Sequence, residues 1–279
     1  MLRVQRHGSG EPLVLVHGLG ATSDCWRPVL EPLARHREVV TLDLPGFGDS
    51  PPLPGPFALA TLVDAVEATL AAEDLLGADL VGSSMGGEVV LELLRRGHGG
   101  HVVALAPSGY WGALGRAWFV LVAWTATVLV HVLRGLVPHL VALGAARALL
   151  LRPLSPRPVA LPRDVVVDGS RRFGRTASFL PGLRWIASRR PAVTVPAGAV
   201  AGRRVTLGWG RRDGLCLPQQ AARAAAAVPG ATVRWFERSG HLPPWDEPAA
   251  TVRVLLEATG GALAPDPAPA VARSSTTGQ

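Results

Sequence analysis

The stretch Gly82-Ser83-Ser84-Met85-Gly86-Gly87 holds the residues of this chain most clearly arranged for chemistry. A serine hydroxyl is a weak nucleophile until the chain presents it on a sharp turn and a base takes its proton. Glycines two residues to either side let a strand turn abruptly into a helix without collision, so the G-x-S-x-G spacing selects Ser84 and not Ser83. The base has eight candidates: His7, His17, His36, His98, His101, His131, His139 and His241. His241 stands out, because Gly240-His241 follows an apolar strand-like run in a loop whose side chains can reach a pocket. Asp213, in Gly210-Arg211-Arg212-Asp213-Gly214, closes another such run and could orient the imidazole. The order Ser84, Asp213, His241 along the chain is one of the orders in which such a triad occurs. A tetrahedral oxyanion needs two fixed donors; the N–H groups of Leu19, in His17-Gly18-Leu19-Gly20, and of Met85, at a helix start, are placed to supply them. The chemistry within reach of this set is acyl transfer to water.

These residues need a scaffold that ends several strands at one place. Short apolar runs over 12–16, 38–42, 78–81, 102–105, 205–209 and 232–236 read as buried strands. Between them lie helix-like stretches over 26–36, 59–75, 88–94, 218–227 and 247–259. The alternation predicts an α/β fold with a mostly parallel sheet covered on both faces. From 108 to 202 the strand rhythm stops and Trp, Leu, Val, Arg and Pro take over with helical periodicity. The expected organisation is a core of 1–107 and 203–259, a mostly helical insertion over 108–202, and a disordered Pro/Ser/Thr-rich tail over 260–279. No internal repeat is present.

Composition narrows the function classes. Of 279 residues, 48% are hydrophobic, which excludes wholesale disorder. The formal charge is +7, but there is no lysine and the arginines come as scattered pairs. That pattern fits solvated faces, and no nucleic-acid partner is expected. Two cysteines, Cys25 and Cys216, cannot build a disulfide framework or a cysteine-rich zinc site; no metal and no cofactor is expected. The first eleven residues lack the apolar stretch of a signal peptide, so a cytoplasmic location is expected. The run over 117–151 is the most apolar of the chain; it reads as a buried helix, with membrane contact as the less favoured alternative.

His17-Gly18-Leu19-Gly20, Asp43-Leu44-Pro45-Gly46-Phe47-Gly48-Asp49-Ser50, Gly82-Ser83-Ser84-Met85-Gly86-Gly87, Trp209-Gly210-Arg211-Arg212-Asp213 and Gly240-His241 together resemble the α/β-hydrolase superfamily, over about two-thirds of the chain. The resemblance implies an eight-stranded, mostly parallel sheet with the insertion acting as a cap. The Asp43–Ser50 stretch is similar to that of capped esterases, epoxide hydrolases and carbon–carbon bond hydrolases. Members that open epoxides or remove halides carry Asp where this chain has Ser84, which leaves acyl chemistry. Two features depart from the pattern: Ser83 stands where such members often have His, and little sequence precedes the first strand. Asp43 is expected to hold a loop, and Cys216 to be a small buried thiol. Trp111, Trp118 and Trp124 place bulky apolar groups on the insertion and are the expected substrate contacts, which points to a small apolar ester. The alternatives are a diketone carbon–carbon hydrolase with the same triad and a non-enzymatic binding protein on the same fold. The oligomeric state is not legible in the sequence.

Overall fold

The computed structural model describes residues 1–260 except 134, 174–175 and 189–191. The expectation of a disordered tail falls almost wholly outside the described residues. Seven strands form one sheet in the order β1-β3-β2-β4-β5-β6-β7: β1 Val4–His7, β2 Pro12–Val16, β3 Glu38–Leu42, β4 Asp79–Ser83, β5 Val102–Leu105, β6 Val205–Gly210 and β7 Thr232–Phe236. All neighbours are parallel except β1, which runs antiparallel to β3. Among the described residues the sheet thus has seven strands where eight were expected. Strand β1 itself escapes a sequence reading because Val4-Gln5-Arg6-His7 carries one apolar residue. It is a short, charged edge, with Arg6 reaching Glu38 and Glu73.

Strand alternation sends successive side chains to opposite faces, and each face has its own cover. Leu13, Leu15, Val39, Val81, Val103 and Leu105 pack under helices α1 (Arg27–Ala34) and α12 (Pro248–Thr259). Val14, Val16, Val40, Leu80, Val102 and Ala104 pack under α2 (Leu59–Ala72), α3 (Met85–Arg95) and α10 (Gln220–Ala227). Burial on both faces explains why the central strands are uninterrupted apolar runs. The short α11 (Pro243–Asp246) follows β7.

Among the described residues, six α-helices come between β5 and β6: α4 Ala113–Val132, α5 Val137–Ala142, α6 Gly144–Leu150, α7 Arg163–Phe173, α8 Phe179–Ser188 and α9 Ala197–Val200. Here the expectation of a buried apolar helix is overturned. Within the apolar span Ala113–Val130 only Phe119, Thr127 and Val130 are buried. Apolar residues occur on every side of the helix, but it meets protein on one side only: Phe119 joins Phe179, Leu183, Ile186 and Leu215 in a cluster, and the opposite side faces solvent.

Candidate active site

Strand β4 delivers Ser84 and helix α3 starts one residue later. Ser84 is held at φ 53 and ψ −114, a backbone conformation that a side-chain-bearing residue adopts only under constraint, at a cost on the order of 1–3 kcal/mol. The constraints are visible. A Cβ at Gly82 would lie 2.1 Å from Gly86 O, and one at Gly86 would lie 2.3 Å from Val16 O, so neither position accepts another residue. The Ser84 N–H donates to Leu105 O (2.8 Å), and Ser84 O accepts from the Ser108 N–H (3.1 Å), which fixes the turn against β5. Gly18 backs directly onto the serine: a Cβ there would be 3.0 Å from Ser84 Cβ. The glycines of both loops are therefore steric requirements. The N–H groups of Leu19 and Met85 have no acceptor among the described residues.

Asp213 and His241 come together at the carboxyl ends of β6 and β7. His241 Nδ1 lies 2.8 Å from Asp213 Oδ2, with both side chains buried. The other carboxylate oxygen, Oδ1, accepts from the Leu215 and Cys216 N–H groups, each at 2.8 Å. Asp213 is thereby fixed from three sides, as an acid that orients an imidazole must be. Gly210 lets the two loops meet, because a Cβ there would lie 2.0 Å from Gly240 O. Ser84 stands at the end of β4, on the same edge of the sheet. No hydrogen bond joins Ser84 to His241 among the described residues; a link of this kind often tightens only as substrate binds.

Three further groups hold these loops. His17 is fully buried, with Nδ1 2.8 Å from Gly18 O and Nε2 accepting from the Leu44 N–H (2.9 Å). Burial pushes its pKa below the ordinary histidine value, so it is neutral and structural. Asp43 accepts from the Ser23 and Asp49 N–H groups (2.7 and 3.1 Å) and so fixes its loop. Asp246, at the end of α11, holds two loops at once. Its carboxylate accepts from the Gly240 N–H (2.8 Å), from Ser239 Oγ (3.3 Å) and from Ser155 Oγ of the insertion (2.5 Å). The insertion also holds the histidine directly, Leu154 O accepting the His241 N–H at 2.7 Å. Sequence reasoning missed this clamp, and the one available signal was a carboxylate five residues after His241. Cys216 is a buried thiol whose pKa burial raises well above the usual value.

The three tryptophans expected at the substrate are not equivalent. Trp111 stacks on Phe119 (4.8 Å between rings) and belongs to the apolar cluster that includes Leu19, Leu215 and Phe179. Trp118 and Trp124 are instead exposed, because helical periodicity turns them away from the buried side of α4. Trp118 remains tied to the site's rim, its indole N–H donating to Gly214 O (2.7 Å). A cavity of about 620 Å³ lies at the far end of the sheet near Arg37, Asp79 and Gly260, and a second of 120 Å³ lies between Pro52, Phe57 and Ser178; neither is lined by Ser84, Asp213 or His241. No group of three metal-ligating side chains occurs among the described residues.

Residues 13–254 match the sequence profile of the alpha/beta hydrolase family. The chain is 30% identical over 264 residues to the dihydrolipoyllysine-residue acetyltransferase component of the acetoin cleaving system of Cupriavidus necator, covering 93% of this chain and 67% of that protein. It is 37% identical over 89 residues to the pimeloyl-[acyl-carrier protein] methyl ester esterase of Pseudoalteromonas atlantica, 32% of this chain and 33% of that one. In fold it resembles a thermophilic esterase from Thermogutta terrifontis, with a TM-score of 0.67 at 21% identity over 92% of each chain. With the sheet, the elbow and this profile in agreement, the chain belongs to the alpha/beta hydrolase family.

Proposed function

We propose that this protein hydrolyses a carboxylic ester with an apolar acyl or alcohol part through an acyl-enzyme on Ser84. The observation that carries this reading is the strained Ser84 elbow standing on the same sheet edge as the Asp213–His241 hydrogen bond. His241 takes the Ser84 proton as Ser84 attacks the carbonyl carbon, and Asp213 steadies the imidazolium that forms. The Leu19 and Met85 N–H groups receive the oxyanion. His241 then protonates the leaving alcohol, and a water activated by the same imidazole releases the acid.

The preference for an apolar substrate rests on the cluster over the site, where Leu19 and Leu215 meet Trp111, Phe119 and Phe179. The stretch similar to a methyl ester esterase supports ester cleavage over other acyl chemistry. A fluorophosphonate probe tests the nucleophile: it should label the purified protein once, at Ser84, and mass spectrometry should locate the adduct. A panel of esters, thioesters and ring-cleavage diketones of graded length then tests the substrate class. Repeated turnover fastest on apolar esters is the expected result. Faster cleavage of the diketones would make the protein a carbon–carbon hydrolase, and labelling without turnover would make it a binding protein.

A further inference from the structure

We infer that the helical insertion docks the protein on an anionic lipid surface through the outer side of α4. Leu114, Trp118, Leu121, Val128 and Val132 are all exposed, Leu114 by 88% and Val132 by 73%. Their steps of four, three, seven and four residues put them on one line along a 20-residue helix, a stripe roughly 30 Å long. Thr125 is the single polar residue on that line, and Trp124, 53% exposed, flanks it. The opposite side, through Phe119, Thr127 and Val130, holds the helix to the body of the protein. An apolar line of this length facing water, interrupted only at Thr125, calls for an apolar partner.

Charge identifies that partner. Residues 108–202 contain 12 of the 28 arginines and 2 of the 21 acidic residues, so this third of the chain carries a formal +10 against +7 for the whole. The rest of the molecule is net acidic. Arg152, Arg163 and Arg184 are exposed on the insertion with no carboxylate partner among the described residues. A second copy presenting its own insertion would set one strongly basic region against another. An anionic bilayer satisfies both features, with acyl chains for the stripe and headgroups for the arginines. The helix lies on such a surface and does not cross it. The chain enters α4 from β5 and returns to β6, which pair side by side in one sheet. Helices α5 and α6, of six and seven residues, are too short to carry it back through a bilayer. Trp118 joins the stripe to the rim of the site through Gly214, next to Asp213.

The test uses the full chain and sedimentable vesicles, so its outcome does not depend on the hydrolase reading. Phosphatidylglycerol-containing vesicles should pull down the protein about tenfold more than phosphatidylcholine vesicles, with the difference shrinking at high salt. The variant Leu121→Glu/Val128→Glu/Val132→Glu alters exposed positions only and should fold normally by circular dichroism. It should lose vesicle binding by about tenfold or more while remaining monomeric. The variant Arg152→Ser/Arg163→Ser/Arg184→Ser should lose the preference for the anionic lipid. Protein left in the supernatant with both vesicle types would overturn the inference. So would a wild-type dimer on gel filtration that the glutamate variant abolishes, since the stripe would then be a contact between copies. Equal binding to both vesicle types would overturn the anionic assignment.

Discussion

At the scale of single residues, two adjacent serines make a direct test of the elbow. Ser84→Ala should lower kcat on an activated ester by on the order of a million-fold with the fold intact, because the base and donors have nothing left to activate. Ser83→Ala should cost far less, since Ser83 ends the strand and does not occupy the strained turn. Steady-state rates of the two variants decide it; the reverse ranking would mean the nucleophile is misassigned. Asp213→Asn should slow acylation roughly ten-thousand-fold, through the wrong imidazole tautomer. The placement of these three residues at strand ends was legible in the sequence because each sits beside a local signature: flanking glycines for Ser84, apolar strand runs before Asp213 and His241. Asp246 was not, since its partner Ser155 lies 91 residues away, on the far side of β6 and β7. Asp246→Ala should release the Gly240 N–H and let His241 drift, lowering kcat by about a hundredfold with little change in KM. Ser155→Ala, which removes one of the same bonds, should give a smaller loss in the same direction. A wild-type kcat for Asp246→Ala would return that residue to a purely structural place.

At the scale of elements, the loop after β2 and the loop after β3 are joined by one imidazole. His17 accepts from the Leu44 N–H and hydrogen-bonds Gly18 O, so the oxyanion loop is anchored to the Asp43 loop. Its folded-state pKa is lowered by burial, so the unfolded chain takes up the proton first as the medium is acidified. The stabilisation is full above the ordinary histidine value, about 6.5, and is lost as the pH falls from there toward the folded value. His98 is also lowered by burial and acts in the same direction. Urea midpoints at neutral and mildly acidic pH, compared between wild type and His17→Gln, isolate the His17 share. The wild type should lose more stability on acidification than the variant; identical slopes would show that His17 reaches solvent. The elements themselves were largely legible, because parallel strands buried on both faces must be apolar runs and the helices between them must fit the spacing. Two failures have physical causes. Strand β1 is an edge with charged residues, and pattern alone gives it no weight. Helix α4 has apolar residues on every side, and periodicity cannot say which side of such a helix meets protein.

At the scale of the whole molecule, the strained site and the fold's main polar anchor lie at opposite ends of the sheet. Arg37, just before β3, is buried and joins four separate segments. It donates to Glu11 O (2.9 Å) and Pro12 O (3.1 Å) at the start of β2, to Thr259 O and Oγ1 (both 3.0 Å) at the end of α12, and to Asp79 Oδ2 (2.7 Å) at the start of β4. Asp79 is itself mostly buried and also accepts from the His101 N–H (2.8 Å), which brings in β5. One guanidinium thus ties the last helix to three central strands, across 222 residues of sequence. Its planar fork of donors is what makes this possible, and lysine could not reproduce it. Removing one partner of a buried pair leaves an uncompensated charge, so Arg37→Ala should cost about 3–5 kcal/mol in urea unfolding. Arg37→Lys should recover only part of that loss. Because the anchor stands away from Ser84, the folded fraction of Arg37→Ala should keep its kcat while its melting temperature falls. A loss below about 1 kcal/mol would mean that water screens the pair as it does at a surface. A collapse of kcat in protein that is still folded would mean that the strain at Ser84 is held in place from the far end of the sheet.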